Sequence, residues 1–141
     1  MRNRFHKLWL CVPFVVICLV DASITLHGQD LQYWSGNTST PNEVFPLFAK
    51  ALHRSPFVFV AAIAAWIIVF SVAILFLPNL FSEIMALTLV SGHTWGTMTW
   101  LVYDAKVRYE VTLVVFVVSS SLFVTCDGAW RRHITETKRQ G

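Results

Sequence analysis

Charge is scarce in this chain, and the motifs of soluble catalysis are missing. Asp, Glu, Lys and Arg make up 13% of its 141 residues, about half the ~25% usual for a soluble domain. From Ser55 to Ser82 there is no charged residue at all. A soluble domain of this length can bury one such segment, but not several. There is no G-x-S-x-G, H-E-x-x-H or C-x-x-C pattern and no phosphate-cradling glycine loop, so the commonest hydrolase, zinc-protease, redox and nucleotide-binding chemistries have no foothold. Cysteine is limited to Cys11, Cys18 and Cys126, an odd number inside apolar segments. That excludes a disulfide framework and leaves them as small packing residues. The basic residues form no face with interleaved aromatics, so no nucleic-acid partner is expected.

Hydrophobic residues account for 55% of the chain, and they fall into segments of membrane-spanning length. The reading is an all-α polytopic integral membrane protein, a single four-helix domain over residues 1–141. Its spans cover about 8–27, 56–78, 80–103 and 111–130. Proline opens and closes the second, at Pro56 and Pro78, as a helix bounded by its own breakers should.

Basic residues set the orientation. Arg2, Arg4 and Lys7 precede the first span, and Arg131, Arg132, Lys138 and Arg139 follow the last. With both termini cytoplasmic, these seven lie inside and Lys50, Arg54, Lys106 and Arg108 lie outside, a bias that favours a multi-pass protein of the plasma (inner) membrane. Trp9 and Trp130 would mark the inner interface, and Trp100, Tyr103 and Tyr109 the outer one. Residues 1–22 also offer a signal-peptide reading, with Val20-Asp21-Ala22 as the cleavage site. Cleavage would leave three spans and remove Asp21. The apolar continuation through His27 favours a retained first helix.

The only long connection runs from Gly28 to Ser55. Its first part, GQDLQYWSGNTSTPN, has the composition of a surface loop. Its second part places Val44, Leu47, Phe48, Ala51 and Leu52 at helical spacing, which predicts a short interfacial helix with Pro46 in its first turn. Asn37-Thr38-Ser39 fits an N-glycosylation sequon, a pattern that also arises by chance.

Polar residues inside the spans are the candidate site. Asp21 sits within the first helix, where a carboxylate costs roughly 2.5–3.5 kcal/mol on insertion scales. It is tolerable there if it faces protein or trapped water, is protonated, or has a partner. Cys18, Asp21, Thr25 and Gly28 share one stripe, and Thr25, one turn above, can share the hydrogen bonds of Asp21. The third span is the most polar, with SGHTWGTMTW from Ser91 to Trp100. Gly92 and Gly96 form G-x-x-x-G, a helix-packing face. His93 and Thr97 form a neighbouring stripe that reaches Trp100 and Asp104. Depth matching puts Asp21, Thr25, His93 and Thr97 in one layer, with Glu43, His27 or His53 capping it from outside. At the inner end Glu83, Asp127, Arg131 and Arg132 form a salt-bridge set of small energetic worth. Ser119–Ser121 bond back to their own helix.

Asp21-x-x-x-Thr25, followed by Glu43-Val-Phe-Pro46-Leu47 before an apolar span, resembles the small helical membrane proteins of domain of unknown function 5658. The likeness covers roughly residues 10–100. Their pattern has asparagine where this chain has Phe45, so a polar site built on that side chain would be incomplete here. The resemblance implies a small helical membrane fold and singles out Asp21, Thr25, Glu43 and Pro46. It implies no activity.

The functional expectation is therefore a non-enzymatic membrane protein with an interhelical polar site and no cofactor or metal. Its surroundings are the lipid bilayer, and its partner a second copy of the chain or another membrane protein. The rival reading is a small proton- or cation-coupled transporter using Asp21. A third is an intramembrane metal-dependent hydrolase built on Asp21, His93 and Glu43.

Overall fold

A computed structural model describes residues 4–103 and 105–139. Arg2 and Asp104 lie outside the described residues, as do the side chains of Arg4, Lys138 and Arg139. The described chain is helical throughout, without a strand. After a 3-10 turn at Arg4–Lys7 come α1 (Leu8–His27), α2 (Leu31–Trp34), α3 (Pro46–Arg54), α4 (Pro56–Phe76), α5 (Asn79–Tyr103) and α6 (Tyr109–Arg139).

Local chemistry explains the boundaries. Ser55 accepts a hydrogen bond from the Val58 amide at 3.2 Å and caps α4, whose first residue is Pro56. Gly28 closes α1 by donating its amide to Ile24 at 2.8 Å. α2 was not foreseen within the loop. It forms because Asp30 accepts from the Tyr33 amide at 2.7 Å, and Tyr33 is buried with its hydroxyl donating to the Leu52 carbonyl at 3.0 Å. α6 outruns its expected end at 130, continuing to Arg139. At 31 residues it is roughly 46 Å long, well beyond the ~30 Å of a bilayer core.

α1 and α5 form a central pair. α4 packs on one side of the pair and α6 on the other, and among the described residues α4 and α6 do not touch. α3 lies against α4. Leu10, Phe14, Ile17 and Cys18 of α1 meet Ile63 and Ile74 of α4 and Ala86 and Val90 of α5 in the core. All three cysteines are buried and free. Lys7, counted in the sequence as a flanking charge, is also buried. Its ammonium donates to the Leu77 carbonyl and to Ser82 Oγ, the latter at 3.0 Å. It thereby satisfies the carboxyl end of α4, where a cation is favoured. That contact, with the Glu83–Arg131 ion pair, puts the start of α1 and the Asp127–Arg131 turn of α6 at one end of the bundle. Trp130, expected at a lipid interface, is instead buried in the core at 2% exposure.

Three helices are long and apolar enough to cross a membrane: α1, α4 and the Tyr109–Arg132 part of α6, with mean hydropathies of 2.2, 2.9 and 1.8. α5, read from the sequence as the third span, is long enough but is not among them. The reason is its polar Ser91–Trp100 stretch, in which Ser91 is exposed and Thr94 and Thr97 turn toward neighbouring helices. Ser82, Thr94 and Thr97 are all buried. The outward faces of the other helices are apolar instead. Val60, Ile68, Val69 and Val72 of α4 and Val114, Val117, Val118 and Val124 of α6 are exposed, an arrangement suited to a lipid solvent.

Candidate functional site

Asp21 lies where α1 crosses α5. Its Oδ2 shares a hydrogen bond of 2.8 Å with His93 Nδ1, and its Oδ1 accepts from Thr97 Oγ1 at 3.3 Å. The side chains of Asp21 and His93 are 19% and 11% exposed, so the pair is largely withdrawn from solvent. Helical spacing on α5 makes this geometry. His93 and Thr97 are one turn apart and face α1 together, so both reach one carboxylate. A fully buried Phe14 lies beside the His93 ring, with centroids 5.9 Å apart, and limits its rotation.

The two glycines of G-x-x-x-G play different parts. A Cβ on Gly96 would sit 3.0 Å from Asp21 Oδ1 and 3.2 Å from Oδ2. Gly96 is therefore the residue that lets the carboxylate lie against the α5 backbone. A Cβ on Gly92 would meet nothing within 4 Å, because Gly92 faces open space. The small-residue face is here a seat for a carboxylate, not a seam between two helix backbones. Gly28 has a related role, since Trp100 occupies the place a side chain would take, with ring carbon Cζ3 2.3 Å from its Cβ position.

The open space is a cavity of about 690 Å³. Asp21, Thr25, His93, Gly92 and Gly96 line it from α1 and α5, and Glu43 from the loop before α3. Thr97 is fully buried beneath Asp21 and does not reach the cavity. Thr25 is buried and lines the cavity, but its hydroxyl is not among the hydrogen-bond partners of Asp21. Its carbonyl instead accepts from Gln29 Nε2 at 2.9 Å. His27 and His53, considered as outer caps, do not line the cavity. His53 is 2.8 Å from the Thr38 carbonyl instead.

The walls are aromatic. Phe45, Phe48 and Trp66 pack with centroids 5.2 to 6.1 Å apart, and Trp95, Trp100 and Tyr103 line the α5 side. Phe45 thus makes this wall apolar. Trp66 Nε1 is buried without a hydrogen-bond partner. Glu43 receives the Phe45 amide at 2.7 Å, at the start of α3. Burial pushes its carboxyl above the usual range, and the neighbouring charge of Asp21 adds to that, while the backbone amides of Phe45 and Val44 oppose it.

Gln29 was missed by sequence reasoning. It is buried, and besides its bond to Thr25 it donates to the Asn42 carbonyl at 2.9 Å and accepts from the Asn42 amide at 2.9 Å. These bonds fasten the loop that carries Glu43 to the top of α1. A glutamine just past a helix end, beside a glycine, is the only sequence signal it gives.

At the opposite end, Arg131 bridges Glu83 at 2.5 Å and Asp127 at 2.8 Å. Glu83, Asp127 and Arg131 do meet as expected, whereas Arg132 donates to the Gly128 carbonyl at 3.3 Å instead of joining the ion pairs. The Arg131 side chain is 61% exposed, so this cluster is an interfacial clamp. Ser119 donates back to Val115 at 2.7 Å, as expected of a hydroxyl within an apolar helix.

The arrangement offers a carboxylate–imidazole pair, a second carboxylate and an aromatic enclosure. Among the described residues no three His, Cys, Asp or Glu side chains converge closely enough to hold a metal ion, so Asp21, His93 and Glu43 do not form a ligand set. No protein-family model, curated protein or solved structure matches the chain.

Proposed function

We propose that this is a non-enzymatic integral membrane protein whose Asp21–His93 pair ties α1 to α5 and floors a cavity that receives a small molecule or a segment of a partner. In this reading α5 is the fourth membrane-crossing helix, with Thr94 and Thr97 turned to its neighbours and Leu80, Phe81, Ile84 and Leu87 turned outward. α3 lies at the outer interface, and both termini face the cytoplasm across the plasma (inner) membrane. The likeness to domain of unknown function 5658 proteins fits, since Asp21, Thr25, Glu43 and Pro46 all line the one cavity. The observation that carries the proposal is the 2.8 Å bond between Asp21 and His93 at the cavity floor. A buried carboxylate that is doubly hydrogen-bonded fixes the register of two helices.

The runner-up is a proton- or cation-coupled transporter. It draws support from the same carboxylate lining an open cavity. Asp21→Asn separates the two. The amide keeps the hydrogen-bonding shape but cannot take up and release a proton at ordinary pH. The purified variant is expected to retain its helicity and unfolding midpoint. pH-driven flux in liposomes that is present in the wild type and lost in this variant would overturn the non-transport reading.

A further inference from the structure

We infer that the cavity takes an organic cation with an apolar body, such as an aryl- or alkylammonium ion. The inference rests on the reading of Asp21 as the floor of a binding cavity. It adds the chemistry of what binds there.

Among the described residues two carboxylates, Asp21 and Glu43, line the cavity and no lysine or arginine does. With both ionised, the lining is net negative whichever form His93 adopts, so an anion is repelled. Phe45, Trp66, Trp95 and Trp100 line the walls, and aromatic rings attract a cation through the negative quadrupole of their faces and cover an apolar body at the same time. A bare metal ion would leave those walls unused and finds no converging set of three ligands among the described residues. A neutral apolar guest would desolvate the carboxylates without compensating them. The volume of about 690 Å³ lies within the range of small-molecule sites, roughly 300–1,000 Å³. Burial first, and then repulsion from the charge of Asp21, raises the cost of ionising Glu43. A cation between them would relieve that repulsion. The amine could belong to a free molecule or to a lipid headgroup, and the chemistry recognised is the same.

The test uses the full chain in detergent micelles, with tetraphenylphosphonium and tetraphenylborate as probes of equal shape and opposite charge. Quenching of tryptophan fluorescence should saturate at one tetraphenylphosphonium per chain, with tetraphenylborate at least about tenfold weaker. Glu43→Gln and Trp95→Ala should each weaken the cation by about tenfold, the scale of one desolvated cation–ring or charge contact. Trp95 is 70% exposed, so its truncation keeps the test open if Glu43→Gln folds poorly. Phosphatidylethanolamine added to the micelles competes if a headgroup is the source of the amine, and a free cation is the source if it does not. Equal affinity for the two probes, no saturable binding, or no loss in either variant would overturn the inference. The underlying reading is judged separately, by whether Asp21→Ala unfolds more easily than the wild type. That result does not depend on any probe.

Discussion

The two ends of the bundle hold the same kind of chemistry in different surroundings. At one end Asp21 pairs with His93 across α1 and α5, with both side chains under one-fifth exposed. At the other, Arg131 pairs with Glu83 across α5 and α6 but is 61% exposed. Water and salt screen the second pair, and its long side chain loses rotamer freedom to hold one geometry, so it contributes little. The first pair is sheltered and has a third partner in Thr97. Removing one member strands the other. Burial, not the distance between charges, separates a structural determinant from a surface clamp.

The comparison is tested most strongly by Asp21→Ala. Without the carboxylate, the His93 ring and the Thr97 hydroxyl lose their partner, and the cost should be about 3 kcal/mol of stability. Reversible unfolding in mixed micelles would measure it. A loss indistinguishable from zero would place Asp21 with the surface ion pairs. Next comes Gly96→Ala. The added methyl would press on both carboxylate oxygens, and about 1–2 kcal/mol is expected. Gly92→Ala, which meets nothing, should change stability by less than about 0.5 kcal/mol. Equal effects at the two glycines would show a helix-packing seam instead of a carboxylate seat.

At the exposed end, Arg131→Ala should leave the unfolding midpoint where it is at physiological salt. A clear drop there would erase the contrast between the two ends. The smallest effect concerns Glu43. Its folded-state pKa is raised, so the stability it contributes is full below its unfolded value, about 4.3, and is lost as pH rises through the raised one. Wild-type stability should therefore decline over that window relative to Glu43→Gln. Asp21, His93 and Tyr103 line the same cavity in both proteins, so the difference curve isolates Glu43. A flat difference curve would mean that Glu43 is as well solvated folded as unfolded.

Asp21, His93 and Thr97 were legible as one layer because helix period and depth along a span depend on spacing alone. The meeting of Glu83, Asp127 and Arg131 was legible for the same reason. Thr25 was misjudged as a partner of Asp21, since a stripe names neighbours but not which hydroxyl wins a lone pair. Lys7, Phe14 and Gln29 were read as a flanking charge, a span residue and a loop residue. Their partners lie far along the chain, at Leu77 and Ser82, at His93, and at Asn42. Only the path of the chain brings those together.

Composition and period by themselves gave a helical chain with four expected spans, of which three are apolar enough to cross a membrane, and a carboxylate that would need company inside the first. Tertiary structure decided which company. It gave Gly96 to the carboxylate and Gly92 to open space, although the two are equivalent in the motif, because only one of them lies under α1. It also set Phe45 at the rim beside Trp66, so that the space above Asp21 is a cavity with aromatic walls. A buried acid is costly anywhere along an apolar helix. Which groups meet that cost depends on how neighbouring helices and the loop fold over it.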